Sequence, residues 1–231
     1  MPAYRSEAEG EVRQAVVEYI RKQRPNARII HEINTSLGGT RIDVLAVDRA
    51  EIIAFEIKSA KDKLDRLRDQ MDGMKGVAQH AIAVLHEKFL SQEYVTNRWA
   101  AHFESEGTYY QMDLPGEYRH MHRTWIYPQR NRAMHEDGHD SHARWPDLAS
   151  SLQKPLPDSA LWMLHHAELL ALCRNLNIQS GKRPTCEGMI TALRWNASGR
   201  DITRGLCAAL RARHCIEADA PILDCVEEAA E

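Results

Sequence analysis

The hydrophobic positions change period along the chain, and the changes mark the elements. Over residues 11–23, Val12, Val16, Tyr19 and Ile20 recur at helical spacing, and Pro25-Asn26 ends that stripe. Three short β-like runs follow at 28–33, 41–47 and 51–58. Gly38-Gly39 separates the first two, and Asp48-Arg49-Ala50 supplies a tight turn between the second pair. Residues 61–76 return to helical period, with Leu64, Leu67, Met71 and Met74 as the buried stripe, and 80–86 reads as a fourth strand. The order α-β-β-β-α-β predicts an α/β fold, a mixed sheet flanked by helices.

Beyond residue 87 the pattern weakens. Tyr109 to Leu114 and Arg123 to Tyr127 suit a hairpin around Pro115-Gly116, and 128–147 is polar and reads as a loop. After Pro155 and Pro157 helical spacing returns: Leu161 to Ile178 carry a first helix and its exit. Met189, Ile190 and Leu193 mark a second helix, and Ile202, Leu206 and Leu210 a third. The expected organisation is a core over 1–150 with a polar, His-rich insertion at about 115–150, a helical region over 151–215 and an acidic tail over 216–231.

Composition narrows the class without naming it. In 231 residues, 43% are hydrophobic and 27% charged, which excludes fibrous and wholly disordered chains. No window is apolar enough to span a membrane, and Met1 to Gly10 lacks an apolar signal core, so the expected location is the cytoplasm. The five cysteines all follow residue 170 and include no CxxC pair, which predicts reduced thiols. The net charge of −3 conceals an uneven distribution. Between Gly181 and His214 lie seven basic and two acidic residues; from Cys215 onward there are six acidic residues and no basic ones.

The chemistry concentrates in Arg41-Ile-Asp43 and Glu56-Ile57-Lys58. Alternate strand residues share a face, so Glu56 and Lys58 point one way while Phe55 and Ile57 point the other. The turn at 48–50 folds the two strands together and brings Asp43 alongside Glu56. Asp43, Glu56 and the backbone carbonyl of Ile57 are hard oxygen ligands, suited to Mg²⁺ or Mn²⁺. A lysine beside such a centre suits metal-assisted phosphodiester cleavage, where it positions or deprotonates water and offsets charge on the phosphate. The D-x12-E-x-K spacing alone also occurs by chance in solvated strand ends.

The segment from Glu11 to Leu85 resembles the core of the PD-(D/E)XK, or restriction-endonuclease-like, nuclease superfamily. Glu56-Ile-Lys58-Ser59, followed by Lys61-Asp-Lys-Leu-Asp-Arg-Leu-Arg-Asp-Gln70, resembles a bacterial and phage branch reading EIKS and then D-x-L-x-R-L-x-x-Q. Ile42 stands where the superfamily's proline would precede Asp43, a mild departure at a variable position. The resemblance implies that Asp43 and Glu56 are metal ligands, that Lys58 is the catalytic lysine and that Gln70 lies near the site. Gln70 reads equally as a partly exposed helix-surface side chain. Arg41 would touch phosphate or pair with Asp43. Glu18 or Glu32 would supply a further carboxylate, although a surface or salt-bridge role is the plainer reading of each.

A looser likeness lies in Glu168-Leu169, Leu172-Cys173-Arg174, Leu176, Ile178, Gly181-Lys182-Arg183 and Met189-Ile190, which resemble a SAP-type helix–extended–helix DNA-binding unit. Lys182 and Arg183 would then meet phosphate. Trp195 reads as packing. His120, His122, His135, His139 and His142 crowd one loop, but no HExxH motif or nearby cysteine supports a zinc site. Together these features lead to the expectation of a Mg²⁺- or Mn²⁺-dependent nuclease acting on DNA. The alternatives are an inactive DNA-binding protein of the same fold, a structure-selective resolvase or an RNA nuclease. A homodimer stays open, because no dimerisation seam is visible.

Overall fold

The first helix, α1 (Glu7–Gln23), starts earlier than its apolar stripe because Ser6 caps it, its hydroxyl accepting from the Glu9 N–H. Glu7 and Glu9 in the first turn and Arg21 and Lys22 in the last complement the helix dipole. The structure, a computed structural model, describes residues 6–36, 39–98, 101, 103–119, 121, 123–128, 145–151, 154–179 and 181–223. After α1 come β1 (Arg28–Asn34), β2 (Arg41–Val47), β3 (Ile52–Lys58), α2 (Leu67–Lys75) and β4 (His80–His86). This is the αβββαβ order expected from the sequence, and the molecule is a mixed α/β protein with helices after the sheet.

The main sheet runs β1-β2-β3-β4-β8, where β8 is Thr124–Tyr127. β1, β2 and β3 pair antiparallel, with Val47 opposite Ile52 across the predicted turn; β3, β4 and β8 run parallel. Both faces are covered. On one, Val12, Val16 and Ile20 of α1 pack on Val44, Ile53, Phe55, Ile57 and Val84, with Trp125 and Trp145 stacked at 5.0 Å beside them. On the other, Leu67, Met71 and Met74 of α2 pack on Leu45, Ala54, Ala83 and Leu85. Leu64, also expected in this stripe, is buried, but α2 begins only at Leu67. Ser59 and Asp62 tie the preceding residues into a turn instead, the Asp62 carboxylate accepting from the Ser59 N–H at 2.8 Å.

The expected hairpin at 109–127 does not form. Residues Thr108–Asp113 make β7, the middle of a separate sheet with β5 (Ser91–Val95) and β6 (Phe103–Ser105). The Arg123–Tyr127 run contributes β8 to the main sheet, beside β4. An apolar strand with Trp125 and Ile126 fully buried gains more from the core edge than from a polar partner such as β7. The C-terminal helices are α3 (His166–Asn175), α4 (Cys186–Asn196) and α5 (Gly199–Ala212). Leu161 and Leu164 lie before α3, Leu161 in a 3₁₀ turn. Leu169, Cys173, Met189, Leu193, Leu206 and Leu210 join the same core as α2 and the sheet.

Residues 217–219 run along the outer edge of β1. The His31 N–H donates to the Glu217 carbonyl at 2.8 Å, and the Asp219 N–H to Ile29 at 2.9 Å. Cys173, Cys186, Cys207 and Cys215 are free thiols, as the sequence predicts. The five histidines of the polar loop, Gly38, and the end of the acidic tail from 224 lie outside the described residues. Among the described residues no helix is long and apolar enough to cross a membrane.

Candidate functional site

β2 and β3 pair from Val47↔Ile52 to Val44↔Phe55, and the next pair in register would be Asp43↔Glu56. The ladder stops there. The Asp43 side chain takes its place, Oδ2 accepting the Ile57 N–H at 2.7 Å. On the other side of Asp43 the β1–β2 register passes from His31↔Val44 to Ile33↔Ile42, leaving Glu32 and Asp43 facing each other between the paired positions. Glu32 has φ +55°, rare for a residue with a Cβ. The alternation of faces breaks at this kink: Ile30 and Ile33 join one core, as do Ile42 and Leu45. A carboxylate is thereby placed at a fork in the sheet.

Strand alternation places the next groups. Phe55 and Ile57 enter the α1 face, so Glu56 and Lys58 project from the other, toward α2. Lys58 Nζ donates to Glu56 Oε1 at 2.7 Å and to Gln70 Oε1 at 2.8 Å, and Gln70 Nε2 donates to Glu56 Oε1. Glu56 is 1% exposed, and its second oxygen, Oε2, is buried without a hydrogen-bond partner. Burial pushes the Glu56 carboxyl up to about 7, with the Asp43 charge adding to the rise and Lys58 and Gln70 opposing it. Burial likewise pushes Asp43 up to about 6, against the Ile57 N–H and Arg13. In both carboxyls the cost of burial outweighs the cations beside them, Lys58 at Glu56 and Arg13 at Asp43.

These groups line a polar cleft of about 600 Å³ with Thr40, Arg41, Arg66 and Asp69. Ile57 also lines it although its side chain belongs to the α1-side core, so its main chain is what faces the cleft. A hard divalent cation fits this donor set: the buried Glu56 and half-buried Asp43 carboxylates, one oxygen left unpartnered, and a main-chain edge. Asp43, Glu56 and the Ile57 carbonyl are the groups that would hold it.

The structure brings Asp43, Glu56, Lys58 and Gln70 together, with Gln70 bonded to both Lys58 and Glu56. Arg41 lines the cleft and pairs at 2.7 Å with Glu32, not with Asp43. Glu32 joins the site, whereas Glu18 is bonded to Gln14 on the helix surface. The carboxylate that α1 does supply is Glu9. Sequence reasoning misses Arg13. It is 2% exposed and donates to the Asp43 carbonyl at 2.7 Å, to Glu9 and to Glu32. Burial opposes its charge, but Asp43 and Glu32 outweigh burial and raise its pKa. A sequence signal exists, since Arg13 lies one residue from the apolar stripe of α1.

Lys182 and Arg183 are far along the chain, exposed in the loop before α4, whose cap Thr185 accepts the Gly188 N–H. Trp195 is 83% exposed and packs in no core, contrary to the expectation from its sequence setting. α4 directs Met189, Ile190 and Leu193 inward, which turns Trp195 outward with Thr191 and Arg194.

A family model described as bacteriophage P4 protein cII matches residues 3–100. That span contains every residue of the cleft named above. No curated protein and no solved structure matches the chain.

Proposed function

We propose that the protein is a metal-dependent nuclease that hydrolyses phosphodiester bonds in DNA. The observation that carries this reading is the hydrogen-bonded cluster of Asp43, Glu56, Lys58 and Gln70 at the sheet fork, with the buried Glu56 Oε2 left unpartnered beside an open polar cleft. The αβββαβ order and the Asp-x12-Glu-x-Lys spacing support it through the resemblance to PD-(D/E)XK nucleases.

When bound, Mg²⁺ or Mn²⁺ supplies Lewis-acid polarisation of a phosphoryl oxygen and a water of lowered pKa. Asp43 and Glu56 supply carboxylate oxygens on adjacent strands, fixed by the Ile57 N–H and by Gln70. Lys58, already held by Glu56 and Gln70, presents an ammonium toward the cleft to hold the attacking water and offset the phosphate's added charge. Arg41 and Arg66 on the cleft wall supply cations for the flanking phosphates. Exposed Lys182, Arg183 and Trp195 offer a second contact, two cations and a stacking surface for bases.

The test is cleavage of supercoiled, linear and single-stranded DNA in Mg²⁺, Mn²⁺ or EDTA, with Lys58→Ala as the paired control. Metal-dependent cutting is expected, falling by roughly 10²–10⁴-fold in the variant, the range for removal of a positioned proton-transfer group. Binding without cutting on every substrate would replace the nuclease reading with a DNA-binding protein of the same fold. RNA cut in preference to DNA would redirect the substrate assignment.

A further inference from the structure

One oxygen from each of Glu9, Glu32 and Asp43 lies within 4.8 Å of the others. Oxygens bound to one hard cation at about 2.0–2.6 Å are this close, so the three carboxylates have the spacing of a second ion site. The place among them is filled by Arg13. Its Nε and Nη2 donate to Glu9 Oε1 at 3.0 and 2.7 Å. Nη2 also donates to Glu32 and reaches Asp43 Oδ1 at 3.4 Å, while Nη1 donates to the Asp43 carbonyl at 2.7 Å. The guanidinium is 2% exposed, and its departure would leave three clustered carboxylates with only Arg41, paired to Glu32, as a cation at their edge. On the other side of Asp43, Lys58 and Gln70 both bond Glu56 through Oε1, and Oε2 is buried without a hydrogen-bond partner.

We infer that Arg13 is a positioning residue standing in the second cation place of this centre, so that the chain takes one divalent ion, at Asp43 and Glu56, and not two. The inference rests on the metal-site reading above. Two-metal phosphodiesterases set their ions about 3.5–4 Å apart. Here one of the two charges is part of the fold. By gripping the Asp43 carbonyl as well as its carboxylate, Arg13 also fixes the main chain at the kink and so aims Asp43 at Glu56.

The experiment counts Mn²⁺ ions bound by the full chain without DNA, from the electron paramagnetic resonance signal of the free ion. One ion per wild-type chain is expected, none for Asp43→Asn, and two for Arg13→Met, which vacates the cage. Arg13→Lys, which restores a cation, is expected to bind one. Glu32→Gln is expected to keep one ion, because Glu32 serves Arg13 and not the metal; this variant decides the matter if Arg13→Met does not fold. Two ions on the wild-type chain, loss of the ion in Glu32→Gln, or one ion on a folded Arg13→Met would each overturn the role of Arg13 while leaving a metal site. No Mn²⁺ on the wild-type chain would remove the metal-site reading itself.

Discussion

At Glu56, itself buried at the wall of the cleft, one oxygen accepts from both Lys58 and Gln70 while the other has no hydrogen-bond partner. The folded chain therefore binds protons at Glu56 and Asp43 that the unfolded chain has released, because both carboxyls are pushed up by burial, to about 7 and about 6. Stability from these groups is fully present below their unfolded pKa values and is lost as pH rises through the folded ones. In EDTA, the melting temperature is expected to fall between about pH 4 and pH 7, at roughly 1.4 kcal/mol per unit of pKa displacement. Glu56→Gln is expected to flatten that slope and Mg²⁺ to restore the loss; thermal melts across the range check both. A slope unaffected by the variant would mean that other groups carry it. Asp43, Glu56 and Lys58 are legible in the sequence because strand alternation and one tight turn suffice to bring them together, whereas Gln70 is suggested only by the family resemblance and reads equally as a surface residue of α2. Arg13 and Glu32 are not legible, since their meeting depends on a positive-φ residue that reverses the alternation, and Glu32 carries none of the usual signs of such a position.

Where α2 meets the start of β2, the approach of elements sets the site as much as the residues do. Gly73 faces Thr40 so closely that an added Cβ would lie 2.5 Å from its hydroxyl and 2.9 Å from its Cβ. Neither atom is the free end of a long side chain, so α2 itself would have to move, and Gln70 rides on α2. Gly73→Ala is expected to cost about 1–3 kcal/mol by overpacking, offset in part by about 1 kcal/mol of helix propensity. Denaturant melts read the stability, and the proposed cleavage should fall further than the stability loss explains. Unchanged cutting would mean that Gln70 need not be held by a fixed α2. The elements from α1 to β4 can be read from the sequence because each neighbour in the chain is also a neighbour in space, or one helix away. β8 cannot: it pairs in parallel with β4 across a long excursion, and no local pattern separates that pairing from a hairpin with 108–113. The start of α2 is equally hidden, because Leu64 is buried from a turn and not from a helix.

Across the whole molecule, the helices beyond residue 155 are part of the core, not an appendage. They share one core with α2 and the sheet, and α5 packs on β2, so the test of their DNA-binding role calls for point substitutions and not truncation. Lys182→Ala with Arg183→Ala is expected to weaken DNA binding across sequences and to lower the salt slope by about 1 for each phosphate no longer neutralised. Trp195→Ala is expected to weaken binding by about 1–3 kcal/mol per stacked base, with little effect on salt dependence. Binding titrations at several salt concentrations separate the two, and affinity indifferent to all three changes would confine DNA to the cleft. The exposure of Trp195 is hidden in the sequence because an aromatic among apolar helix residues reads as core until the helix phase is known. The docking of residues 217–219 on β1 adds a demand in time. Ile29 donates its N–H to Asp219, 190 positions later, a separation that a ribosome working at about 5–20 residues per second spans in about 10–40 s. Throughout that interval the outer edge of β1 has no partner strand and can template pairing with another nascent chain. Crowded polysomes and fast expression should therefore be the conditions under which this protein aggregates.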